Sequence, residues 1–210
     1  NGRRRQRQMC IRDRPLIVTT CVNELLSSAC LSLALNPLMT QGQIDALESH
    51  ANEDIKNIFL PKLNSGEWSG TMNLTEPQAG SDVGALRTMA FKDNDGTYRI
   101  TGQKIYISWG DHSLSSNICH LLLARLPNSP KGTKGISLFL VPKYIPDQNG
   151  NINEVNSINT ISLEHKMGLH GSPTAFLEYK NANACLIGED NKGMMAMCTM
   201  MNNARFCLLY

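Results

Sequence analysis

The spacing of apolar residues changes from a helical period to a strand period near Trp68. Before that point Leu25, Leu26, Ala29 and Leu33 recur at helical intervals, and Ile44, Leu47, Ala51, Ile55, Ile58 and Phe59 form a second stripe. Pro37 lies between the two stripes and is expected to end the first helix. The segment LPKLNSGEW, with Gly66 as its breaker, closes this helical part. After Trp68, short segments of strand composition follow one another at 71–74, 86–91, 98–109, 118–126, 135–141, 158–163 and 174–179. Between them stand turn signals such as KDNDG, PNSPKGTKG and PDQNGN. Strands at this spacing without intervening helices predict an antiparallel barrel or sandwich. From about Ile187 the stretch GEDNKG leads into MMAMCTMMNNAR, where Met194, Met197 and Met201 share one helical face. The expected fold class is therefore α+β: a helical part over 15–67, an antiparallel barrel or sandwich over 68–186, and the start of a second helical domain over 187–210.

Charge separates the first fourteen residues from the rest. The chain carries a formal +2, but residues 1–14 hold six arginines and one aspartate, a surplus of five, so the remainder is net −3. That tail, NGRRRQRQMCIRDR, has no apolar period and is expected to be foreign to the native protein, as are residues 206–210. Without it no basic surface for nucleic acid is left. No uninterrupted apolar run approaches the ~18 residues of a membrane span, and a cytoplasmic location is expected. Seven cysteines, an odd number without a C-x-x-C pair, point to buried thiols and not to a disulfide framework or zinc site. His165 and His170 stand five apart, a poor spacing for helical metal ligands, so no metal is expected.

Two stretches carry candidate chemistry. In MNLTEPQAGSD, residues 72–82, Thr75 and Glu76 are held extended before Pro77, and a small polar turn follows. An ordinary inter-strand turn explains that stretch taken alone. Its functional reading is that Gly80 lets backbone approach a ligand, the Ser81 hydroxyl and nearby N–H groups bind a phosphate or carbonyl oxygen, and Thr75 hydrogen-bonds a flat heterocycle. In GQKIYISWG, residues 102–110, Tyr106 and Ser108 are two apart on a strand and so share a face, offering an aromatic wall beside a hydroxyl. Glu53 and Lys56 read as a solvated helix face, and the methionine stripe as core more than pocket.

Taken together and in this order, MNLTEPQAGSD, ITGQKIYISWG and GEDNKGMMAMCTMMNNAR resemble the acyl-CoA dehydrogenase family. The wording of EHKMGLHGSPT and TMMNNAR is most similar to its branch of larger enzymes, which includes those for long-chain and methylthio-substituted acyl-CoA. The resemblance implies the end of an N-terminal helical domain, an antiparallel β-barrel middle domain and the first helix of a truncated C-terminal bundle. It implies FAD as cofactor, with Met72, Asn73, Leu74, Thr75, Gly80, Ser81, Tyr106, Ile107 and Ser108 around it. It assigns acyl-CoA contacts to Ser81, Asn202 and Arg205, although Asn202 and Ala204 stand where many relatives have an acid and a hydroxyl. The implied reaction is α,β-desaturation of an acyl thioester, with electrons passed on to an acceptor flavoprotein and homo-oligomers in the full-length protein. No glutamate here matches the family's catalytic base, which is expected in the C-terminal domain, so these 210 residues alone are expected to be inactive. Two other readings remain open: an oxidase-like flavoprotein of the same fold, and a non-enzymatic β-barrel binding module.

Overall fold

The computed structural model describes the backbone of residues 16–208, and side chains at residue 18 and over 21–202. The expected foreign tail lies outside the described residues, as does the side chain of Arg205. Helix α1 (Leu16–His50) is interrupted at Cys30, where φ is −160° and ψ 93°. Pro37 does not end the helix as expected but sits inside it. A proline removes one N–H and one ladder bond. Met39, Ile44, Ala46 and Leu47, in the turns that follow, are buried in the core, and that burial outweighs the lost bond. The second apolar stripe is split at Ala51: helix α2 (Glu53–Asn64) starts afresh, with Asn52 Oδ1 accepting the Ile55 N–H at 2.9 Å as its cap. Helix α3 (Gly193–Leu208) packs against α1 and the sheet.

Among the described residues there are nine strands: β1 (Trp68–Asn73), β2 (Met89–Lys92), β3 (Tyr98–Ser108), β4 (Asn117–Arg125), β5 (Ile136–Pro142), β6 (Tyr144–Pro146), β7 (Ile152–Val155), β8 (Ile158–Leu163) and β9 (Thr174–Ile187). Seven make one sheet in the order β1-β4-β2-β3-β9-β5, with β8 on β9 and an additional pairing of β4 with β5. The expectation of a wholly antiparallel sheet is corrected here. β1 runs parallel to β4, Trp68 opposite Asn117 through Asn73 opposite Leu122, and β2 meets β4 in parallel at Met89 and Arg125. The β2–β3 hairpin lies between β1 and β4 in sequence and supplies the crossover that parallel neighbours require. A separate ribbon of β6 and β7, read from sequence only as turn, completes the set.

Alternation along β4 and β5 builds two cores. Cys119, Leu121 and Leu123 with Ile136, Leu138 and Leu140 face the helices, meeting Leu47, Phe59, Trp68, Met197 and Met200. The alternate residues Leu122, Ala124, Phe139 and Val141 face the other way, onto Tyr98, Ile100, Ile107, Leu177 and Tyr179. Both strands are consequently buried on both faces, with His120 and Ser137 among their buried polar residues.

Candidate active site

The loop that leaves β1 is fixed by a buried charge pair. Glu76 is 3% exposed and Lys104, on β3, 0%. Lys104 Nζ donates to Glu76 Oε1 at 2.9 Å and to the Leu74 carbonyl at 3.2 Å. The other acceptor sites of the carboxylate are also filled: Oε2 takes the Arg87 N–H and the Gln78 amide, both at 2.6 Å, and Oε1 takes the Thr88 N–H at 3.1 Å. Burial pushes the Glu76 carboxyl up, but the Lys104 ammonium and the bonds from Arg87 and Thr88 outweigh it and hold the group below its ordinary value. Burial lowers Lys104 to about 8 against the opposing pull of Glu76. Glu76 and Ala79 exchange backbone bonds at 3.2 and 3.0 Å, so the turn between them is closed at its neck.

Neither Glu76 nor Lys104 was singled out from sequence. The signal was present: Lys104 follows Tyr98 and Ile100 on the inward, every-second-residue register of β3. A charge at a core position requires a partner.

The two candidate stretches meet along this line. Ile105 N donates to the Thr75 carbonyl at 3.0 Å, and Thr71 Oγ1 to the Ser108 carbonyl at 3.1 Å. Between these contacts β3 bulges against β9, with a register shift from Lys104 to Ile107. Tyr106 takes the extra position with φ at +58°, a left-handed conformation costly for a large side chain, and the residue is 61% exposed. Ile107 turns into the second core, and Ser108 is half-buried beside Thr174.

The remaining expected residues divide by depth. Met72 and Leu74 are half-buried and pack against the helix-side core. The Asn73 side chain is wholly buried, accepting from the Tyr179 hydroxyl at 2.9 Å and lying 3.3 Å from His120 Nδ1. That leaves Asn73 and Ile107 only main-chain atoms to offer a ligand. Thr75 is half-buried, whereas Gly80 and Ser81 are exposed. Asn202 is exposed on α3, a different element, and Arg205 lies outside the described side chains. His165 and His170 bring their ring centroids to 6.3 Å, and among the described residues no cluster of three or more metal-ligating side chains occurs. No described helix is long and apolar enough to cross a membrane.

Comparison with known proteins gives a consistent result. The family model described as acyl-CoA dehydrogenase, middle domain, matches residues 71–182. A protein of Ruegeria pomeroyi named 3-methylmercaptopropionyl-CoA dehydrogenase is 48% identical over 92% of this chain. A butyryl-CoA dehydrogenase of Syntrophomonas wolfei is 42% identical over 91%. The chain spans 33% of the length of each of these two relatives. The solved butyryl-CoA dehydrogenase of Megasphaera elsdenii superposes with a TM-score of 0.77 at 26% identity, over 90% of this chain and 46% of that one. The chain belongs to the acyl-CoA dehydrogenase family.

Proposed function

We propose that the protein carrying this chain is an FAD-dependent acyl-CoA dehydrogenase that desaturates an acyl thioester between its α and β carbons. The observation that carries the reading is the junction of the 71–76 and 104–108 segments, where Ile105 N donates to the Thr75 carbonyl immediately before the exposed Tyr106. The residues fit a flavin. A Cβ added at Gly80 would meet nothing within 4 Å, so the protein's own packing does not demand glycine there. Tyr106 likewise holds a left-handed conformation while standing mostly exposed, so burial in the core does not account for it.

In this reading Met72, Leu74, Thr75, Gly80, Ser81, Tyr106 and Ser108 flank the flavin with their exposed or half-buried groups, and Asn73 and Ile107 with main-chain atoms. Ser81, Asn202 and Arg205 contact the acyl-CoA. When bound, FAD supplies the acceptor for the hydride that leaves the β-carbon. The chain's own part is to seat and orient: the Glu76–Lys104 pair holds the loop, Tyr106 walls one side, and the Thr75 and Ser108 groups donate or accept at the rim. The carboxylate base belongs, in this reading, to the part of the family's chain that this sequence does not span, so the 210 residues alone do not turn over.

The sheet is read as a barrel, since the pairings lead from β4 through β2, β3, β9 and β5 back to β4. The branch is read as the larger one for long-chain and methylthioacyl-CoA, supported by the identity to the Ruegeria protein. A flavoprotein acceptor, a homo-oligomer and a cytoplasmic location complete the proposal. The test is to purify the full-length protein and titrate it with FAD. A flavin absorption spectrum that saturates at one FAD per chain supports the reading; a colourless protein that gains none overturns it.

A further inference from the structure

We propose that Arg125 is a positioning residue for the thioester substrate, holding the Ser81-bearing loop against the neighbouring loop of residues 130–135; this rests on the placement of Ser81 at the acyl-CoA given above. Arg125 is the last residue of β4, and its backbone is fixed on both sides: its N–H donates to the Thr88 carbonyl at 2.9 Å, and it pairs with Ile136. Its guanidinium reaches four carbonyls in two loops. Nε donates to Leu86 O at 3.1 Å and one terminal nitrogen to Gly84 O at 2.5 Å and Gly132 O at 2.8 Å. The other terminal nitrogen donates to Pro130 O at 2.9 Å.

The loops are pressed together around this fork. A Cβ at Gly84 would lie 3.3 Å from Gly132 Cα, and one at Gly135 would fall 2.9 Å from the guanidinium. The first loop is therefore held at both feet. Glu76 binds the N–H groups of Arg87 and Thr88, and Arg125 binds the carbonyls of Gly84 and Leu86. Ser81 lies between these feet, nearer in sequence to the Gly84 clasp. Only a planar five-donor group can satisfy carbonyls fanned over two loops; a lysine ammonium has three donors in a different geometry. Lys131 and Lys134 stand exposed on the second loop, which gives the clasped pair a positive rim suited to a phosphorylated carrier.

The experiment is steady-state kinetics of the full-length flavoprotein and its Arg125→Lys variant with one acyl-CoA. The expected result is a KM raised about tenfold, as the loss of well-placed charge-assisted bonds implies, with kcat falling less than KM rises and flavin content retained at saturating FAD, because the 71–76 and 104–108 segments that also flank the flavin are not held by Arg125. Should Arg125→Lys fail to fold, Gly84→Ala, which wedges the two loops apart, is expected to raise KM in the same direction. An unchanged KM in a folded variant, or a loss of flavin or kcat that equals or exceeds the change in KM, overturns the inference. A wild type without flavin or desaturation fails the proposed function instead, which keeps the two failures distinct.

Discussion

Glu76 and Lys104 show how a single residue pair sets a loop. Removing either partner leaves the other charge buried among groups arranged for it, so Glu76→Gln or Lys104→Met is expected to cost about 3–5 kcal/mol in urea unfolding. The double variant is expected to lose less than the sum, because the second change removes an already orphaned charge. Acid weakens the loop by the same route. The carboxyl of Glu76 lies below its ordinary value in the folded state, so its contribution is present above that ordinary value and is lost as pH falls through the folded one. His120, wholly buried between Asn73 and Tyr179, adds a second acid limb. Burial holds its imidazole down to about 3, so between the ordinary histidine value and about 3 the unfolded chain binds a proton that the folded one refuses. Stability then falls with decreasing pH at up to about 1.4 kcal/mol per pH unit, and His120→Gln is expected to remove that slope. The motifs around Thr75 and Tyr106 were legible as sequence because their residue types are unusual together. The pair beneath them is legible only once Lys104 is set on the inward register that Tyr98 and Ile100 begin; otherwise a strand lysine reads as solvent-facing.

At the level of elements, strand composition was more legible than strand partnership. Segments 98–109 and 118–126 lie within a residue of β3 and β4, since alternating or continuous apolar runs mark strands directly. The parallel pairing of β1 with β4 was not legible, because nothing local in either strand encodes a partner across an intervening hairpin. Pro37 misled for a related reason: its local preference is overridden by burial that only the packed helix reveals. The bulge in β3 is a local device with a measurable cost. Tyr106→Gly relieves the positive φ and is expected to leave stability unchanged or raise it by about 1 kcal/mol, while weakening flavin binding in the full-length protein. A variant equally poor in both, by thermal unfolding and FAD titration, would show that Tyr106 serves the fold. The start of α3 has the opposite character. A Cβ at Gly193 would fall 2.4 Å from the Ser137 carbonyl carbon and 2.5 Å from Leu138 N, both backbone atoms that cannot step aside. Gly193→Ala is expected to destabilise by about 2 kcal/mol, by prying α3 off β5.

Across the whole molecule, β4 and β5 are shared walls between two cores, one under the helices and one within the sheet. The candidate site lies where β1 leaves that wall and β3 bulges beside it, so its geometry depends on both cores at once. This explains why two motifs some 30 residues apart in the chain form one surface. In the proposed function this surface takes a flavin and an acyl thioester and passes electrons between them. The most direct test is to add a saturated acyl-CoA to the full-length protein under anaerobic conditions while recording the flavin spectrum. Bleaching of the oxidised flavin with formation of the matching 2-enoyl-CoA is expected. A bound flavin that keeps its oxidised spectrum with every straight-chain and methylthio-substituted acyl-CoA supplied would contradict it.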